Sequence, residues 1–124
     1  MSEHVVLVED ETNIAEAIRF LLGRDGWRVE TLANGGNAAD VIRAARPDLV
    51  ILDVMLPGKT GFEILAELRR DESLKGMPVL MLTARDQARD REMALQAGVS
   101  RFMTKPFAND EMLSAVRELT AGRV

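Results

Sequence analysis

Four short strand-like segments in this chain of 124 residues, three of them wholly apolar, end in polar side chains of complementary chemistry. Val5-Val6-Leu7-Val8 runs into Glu9-Asp10-Glu11, and Leu49-Val50-Ile51-Leu52 into Asp53. Val79-Leu80-Met81-Leu82 runs into Thr83, and the segment from Arg101 to Thr104 into Lys105. The carboxylates of Glu9, Asp10 and Asp53, brought together, repel one another unless a cation joins them or some protons stay on. Oxygen donors without His or Cys favour a hard ion, Mg²⁺ or Mn²⁺. Three carboxylates are too few for a full cage, so the ion would keep waters and accept a phosphate oxygen, which suits Mg²⁺. A carboxylate fixed at the end of an apolar strand can attack phosphorus and hold the product as an acyl phosphate. Charge on the phosphoryl oxygens then needs partners, and the ion, the Lys105 ammonium and the Thr83 hydroxyl can supply them. Taken singly, each residue has a plainer role: strand-end Asp and Thr often cap the next helix, and a strand-end Lys is often just solvated. Together, at four strand ends, they favour a phosphoryl site.

Such a site needs a scaffold that brings those strand ends side by side. The apolar runs of four to six residues read as buried parallel strands, and the stretches between them, apolar every third and fourth residue, as amphipathic helices. Five βα units follow, with helices on both faces of a parallel sheet and ligands expected at the carboxyl ends of its strands. Helix one carries Ile14, Ile18, Leu21 and Leu22 on one face behind Thr12 as N-cap, and Gly26 closes its turn. Arg28 to Leu32 is the second strand, and helix two stops near Ala45, before Pro47. A turn at Pro57-Gly58 leads to helix three with Phe62, Leu65 and Leu68. Helix four, from about Gln87 to Gln96, is the least apolar. Asn109 caps helix five, whose stripe is Met112, Leu113, Val116 and Leu119.

Composition removes several function classes. With no Cys there is no disulfide, thiol catalysis or Cys-ligated metal. A single His makes a His-rich metal site or a Ser-His-Asp triad a poor fit, and His4 reads as a surface residue at the entry to a strand. Net charge is -4 with Lys and Arg scattered, which argues against direct nucleic-acid binding. No apolar run is long enough to cross a membrane, and Met1-Ser2-Glu3-His4 lacks the regions of a signal peptide, so a cytoplasmic protein is expected. One domain over residues 1–124, with no output domain, is the expected organisation.

These residues resemble the receiver domains of bacterial two-component response regulators, of the chemotaxis-regulator type. The resemblance spans essentially the whole chain. It rests on Val6-Leu7-Val8-Glu9-Asp10-Glu11, Leu52-Asp53-Val54-Met55-Leu56-Pro57-Gly58 with Gly61, Leu82-Thr83-Ala84 and Thr104-Lys105-Pro106-Phe107. It implies a flavodoxin-like strand order, 2-1-3-4-5, for which a receiver of this family is a standard example. It also implies that Asp53 is the phosphoacceptor, that Asp10 ligates Mg²⁺ directly, and that Glu9 acts on the ion through water. The Met55 backbone carbonyl would complete the protein's share of the coordination. Thr83, Lys105 and the Ala84 backbone would hold the phosphoryl group. Phe102 stands at the aromatic switch position, without the hydroxyl of the more usual Tyr. The Lys105-Pro106 bond would be cis, and Met55 and Arg85 would tune dephosphorylation. Met55 is apolar and cannot orient a water, so slow hydrolysis is expected.

By the same resemblance the phosphodonor is a sensor histidine kinase or a histidine phosphotransfer protein. The surface of helix four, strand five and helix five would then act on a downstream protein. The chain would be a phosphoacceptor rather than an enzyme, either free-standing or the receiver part of a longer, for example DNA-binding, regulator. Phe20 lies off the main stripe of helix one and is read as a partner contact, with packing on helix five as the alternative; Trp27 is read as structural. Other classes fit less well. An aspartate-nucleophile phosphohydrolase typically has a second Asp where Met55 stands. A flavin carrier needs a Ser- and Thr-rich phosphate loop where Glu9-Asp10-Glu11 stands. A receiver-like scaffold that takes no phosphate would not need the full residue set.

Overall fold

The computed structural model of the chain describes residues 3–84 and 88–121. The elements are β1 (Glu3–Val8), α1 (Thr12–Arg24), β2 (Trp27–Leu32), α2 (Ala38–Ala45) and β3 (Leu49–Asp53). They continue as α3 (Gly61–Arg70), β4 (Val79–Thr83), α4 (Ala88–Gln96), β5 (Arg101–Thr104) and α5 (Asn109–Thr120). The strands form one parallel sheet, as the sequence pattern implies, in the order β2-β1-β3-β4-β5 that the resemblance implies.

The sheet separates two apolar layers. Side chains alternate along a strand, so Val6, Val8, Val50, Leu52, Val79 and Met81 pack with Ile42 of α2, Leu65 of α3 and Ala94 of α4. Val5, Leu7, Ile51, Leu80 and Leu82 pack with Ile18 and Leu22 of α1 and Met112 and Val116 of α5. This two-sided burial explains why β3 and β4 read as unbroken apolar runs: all their residues are buried. The edge strand β2 instead alternates at its start, with Trp27 and Val29 buried and Arg28 and Glu30 exposed. Trp27 is thus a core residue, as expected.

Helix α3 begins in a capping box. The Glu63 N–H donates to Thr60 Oγ1 at 3.2 Å, and the Thr60 N–H donates to Glu63 Oε1 at 3.0 Å. Thr60→Ala is expected to lower stability by about 1 kcal/mol, read as a shifted urea midpoint at unchanged slope. Helix α2 stops at Arg46, whose backbone is left-handed (φ 46°). Pro47 follows, and a proline disfavours helical backbone in the residue before it.

Three expectations are corrected. Thr12 and Asn109 are the first residues of their helices rather than their caps; Glu11 and Ala108 occupy the cap positions, without side-chain cap bonds. His4 is buried rather than a surface residue: its N–H donates to Asp48 Oδ2 at 2.9 Å, and its Nε2 lies 3.4 Å from Glu30 Oε1. Gln87, the expected start of the fourth helix, lies outside the described residues. Among the described residues no helix is long and apolar enough to cross a membrane.

Candidate functional site

The strand ends converge as the sequence required, and backbone hydrogen bonds fix each one. The Glu9 N–H donates to the Leu32 carbonyl at 2.9 Å, tying the end of β1 to β2. Beyond β3, the Val54 N–H donates to the Leu82 carbonyl (2.9 Å) and the Val54 carbonyl accepts from Gly61 N–H (3.0 Å). Past β5, the Lys105 N–H donates to the Thr83 carbonyl at 2.7 Å, and the Lys105-Pro106 bond is cis.

Lys105 joins the cluster together. Its Nζ lies 3.0 Å from Glu9 Oε1, 3.2 Å from Asp53 Oδ2 and 3.5 Å from Glu11 Oε1. The Glu9 and Asp53 side chains are 0% and 5% exposed, so these charges meet with little water between them. The Glu11 N–H donates to the other Glu9 oxygen, Oε2, at 3.2 Å. Burial, with the neighbouring Asp53 adding to it, pushes the Glu9 carboxyl up to about 7. Burial works against the Lys105 ammonium too, but its hydrogen bond to Glu9 and the charges of Asp53 and Glu9 outweigh burial and hold its pKa above the usual value. One ammonium cannot neutralise every carboxylate gathered here, so the site retains a demand for positive charge.

Asp10 completes the acidic group. Glu9, Asp10 and Asp53 each offer a carboxylate oxygen within 4.8 Å of the others, with Asp10 exposed at the mouth. Two buried and one solvent-facing oxygen donors, without nitrogen or sulfur, suit a hard divalent ion that keeps part of its water shell.

The remaining candidates lie around this group. Thr83 is buried at the end of β4, with the exposed Ala84 next to it. Met55, 62% exposed, stands two residues beyond Asp53. Phe102 is half-buried against the layer under α4, and the Arg91 guanidinium carbon lies 5.1 Å from its ring centroid. Arg85 lies outside the described residues. By strand alternation Glu9, Asp53 and Lys105 share the side of Val5, Ile51 and Met103, whereas Thr83 and Phe102 share the opposite side with Met81. The site thus touches both layers of the fold.

The sequence model of the response regulator receiver domain matches residues 5–117. The chain belongs to this family. Solved structures place the receiver among close relatives in shape. A Chloroflexus aurantiacus protein assigned to the response regulators superposes with a TM-score of 0.93 at 30% identity, covering 98% of this chain and 99% of that one. The chemotaxis protein CheY4 of Vibrio cholerae gives 0.89 at 29% identity, covering 96% and 99%. The receiver domain of a sensor histidine kinase from Pseudomonas aeruginosa gives 0.90 at 30% identity, covering 98% and 100%; its structure has a magnesium ion coordinated in the active-site cleft.

Two features of this receiver escaped the sequence reading. Glu11 reaches Lys105, and only its place in an acidic run hinted at that. Gly61 is pressed against Asp53: a Cβ there would lie 2.3 Å from the Asp53 carbonyl oxygen. Phe20 does not pack on α5; it is 68% exposed, with the Arg24 guanidinium carbon 5.7 Å from its ring centroid.

Proposed function

We propose that this receiver accepts a phosphoryl group on Asp53 in a Mg²⁺-dependent reaction and passes the change to the surface formed by α4, β5 and α5. The observation that carries the reading is the position of Asp53: buried, 3.2 Å from the Lys105 ammonium, and grouped with Glu9 and Asp10. Asp10 and Asp53 would hold the ion directly, with the Met55 carbonyl, and Glu9 through water. A bound Mg²⁺ would supply charge neutralisation at the phosphoryl oxygens and among the carboxylates that hold it.

The chain's own groups account for the rest. An Asp53 oxygen attacks phosphorus, the bond from phosphorus to the donor's leaving atom breaks, and the leaving group departs with that electron pair. Lys105 binds the phosphoryl oxygens as charge builds on them. Thr83 and the Ala84 N–H provide further hydrogen-bond donors. The donor is a histidine kinase or a histidine phosphotransfer protein, and the chain is spent rather than turned over, so it acts as an acceptor and not as an enzyme. Thr83 closing on the phosphoryl group would free space toward Phe102, whose ring turns inward. Phosphorylation by acetyl phosphate, followed by gel mobility with and without a chelator, tests the metal requirement: equal yields in both would overturn it.

The lifetime of the acyl phosphate follows from Met55. An exposed thioether at this position is at most a weak acceptor and cannot orient an attacking water as an amide or carboxylate would. Met55→Asn is expected to speed dephosphorylation several-fold, read as loss of phosphoprotein after the donor is removed. An unchanged half-life would count against that role.

A further inference from the structure

Among the described residues, two buried side-chain oxygens lack a hydrogen-bond partner: Asp90 Oδ2 on α4 and Thr104 Oγ1 at the end of β5. Buried polar groups are rarely left unpaired, and such a group usually marks an arrangement the protein completes in another state. These two are complementary, because a hydroxyl donates and an ionised carboxylate only accepts. They also belong to elements that face each other. Asp90 and Ala94 are the buried residues of α4, four apart on the side turned to the sheet. The next residue, Arg91, places its guanidinium over Phe102, which lies two positions before Thr104 on the same face of β5. Thr104 is paired in register with Thr83.

We propose that Thr104 and Asp90 form a latch that closes on phosphorylation, the Thr104 hydroxyl donating to the Asp90 carboxylate and fixing α4 onto β5. The proposal rests on the reading of Asp53 as phosphoacceptor and adds the residues that hold the switched form. Thr83 is the in-register neighbour of Thr104, so its movement toward Asp53 alters the packing beside the Thr104 hydroxyl. That adjustment lets the first turn of α4 settle toward β5. An acid in the buried phase of a helix is a poor choice for packing alone, and the latch gives it a use.

The test is calorimetric titration of beryllofluoride, a phosphoryl mimic that binds carboxylates, into the Mg²⁺-loaded chain. Wild type, Thr104→Val, Asp90→Ala, the double variant and Thr104→Ser are compared. A hydrogen bond to a charged group that forms only in the switched state is worth about tenfold in affinity. Each single variant therefore binds about tenfold more weakly, and the double variant no worse than either. Thr104→Ser, which keeps the hydroxyl, matches wild type. Thr104→Val also melts higher than wild type before beryllofluoride is added, because it removes an unpaired buried hydroxyl; a merely structural role for Thr104 would not give that pair of effects. Unchanged affinities, or single losses that multiply in the double variant, would overturn the latch. If wild type itself does not bind beryllofluoride, the phosphoacceptor reading fails first.

Discussion

Lys105→Met slows phosphorylation of Asp53 by about 10²–10³-fold, the loss found when one preorganised charge partner is removed from a reacting centre, while it tightens Mg²⁺ binding. The two effects have opposite signs for one reason. The ammonium lies 3.0 Å from Glu9 and 3.2 Å from Asp53, and its side chain is 7% exposed, so it neutralises the carboxylates that an ion would bind. Without it the acidic cluster attracts a divalent cation more strongly, but the phosphoryl oxygens lose their positive partner. Stability falls as well, because removing one member of a buried ion pair costs about 3–5 kcal/mol when the other stays charged. Glu9 limits that cost near neutral pH: already pushed up to about 7 by burial, it takes a proton once Lys105 is gone. Acetyl phosphate kinetics and calorimetric Mg²⁺ titration read the two effects separately. A phosphorylation rate within threefold of wild type would remove Lys105 from the mechanism.

Gly61→Ala carries the second large effect, through geometry rather than charge. The new Cβ would lie 2.3 Å from the Asp53 carbonyl oxygen and 3.1 Å from both the Asp53 carbonyl carbon and the Val54 Cα. All three atoms are backbone, so no side chain can rotate out of the way. The start of α3 must move off, straining the 3.0 Å bond from Gly61 N–H to the Val54 carbonyl. Overpacking of this kind costs about 1–3 kcal/mol. Because the contact is to the nucleophile's own peptide, phosphorylation drops by about tenfold or more, as expected when a reacting group is misplaced by a fraction of an ångström to 1 Å. Urea denaturation and acetyl phosphate kinetics on the same preparation measure both; a variant with normal stability and normal rate would contradict the contact.

How far these features could be read from sequence depended on what determines them. The strands Leu49–Asp53 and Val79–Thr83 were legible to the residue, since burial on both faces leaves only apolar choices until the chain reaches the site. The site group itself was legible because Glu9, Asp10, Asp53, Thr83 and Lys105 interrupt those runs. Caps were not, because the cap is decided by backbone angles: Glu11 and Ala108 adopt extended backbone one residue ahead of the more suitable Thr12 and Asn109. The burial of His4 depends on Glu30 from β2 and Asp48 ahead of β3, which approach only in the folded sheet. Asp90 left a trace, a carboxylate in the same helical phase as Ala94, but nothing local marked it as buried.

The central claim is that Asp53 carries the phosphoryl group. Reduction with borohydride after reaction with acetyl phosphate and Mg²⁺ converts an acyl phosphate to an alcohol, and peptide mass mapping then locates the altered residue. Homoserine at position 53, absent when acetyl phosphate or Mg²⁺ is omitted, is the predicted result. Homoserine at Asp10 or 5-hydroxynorvaline at Glu9 instead, or no reduced residue while wild type stays folded and Mg²⁺-bound, would contradict it.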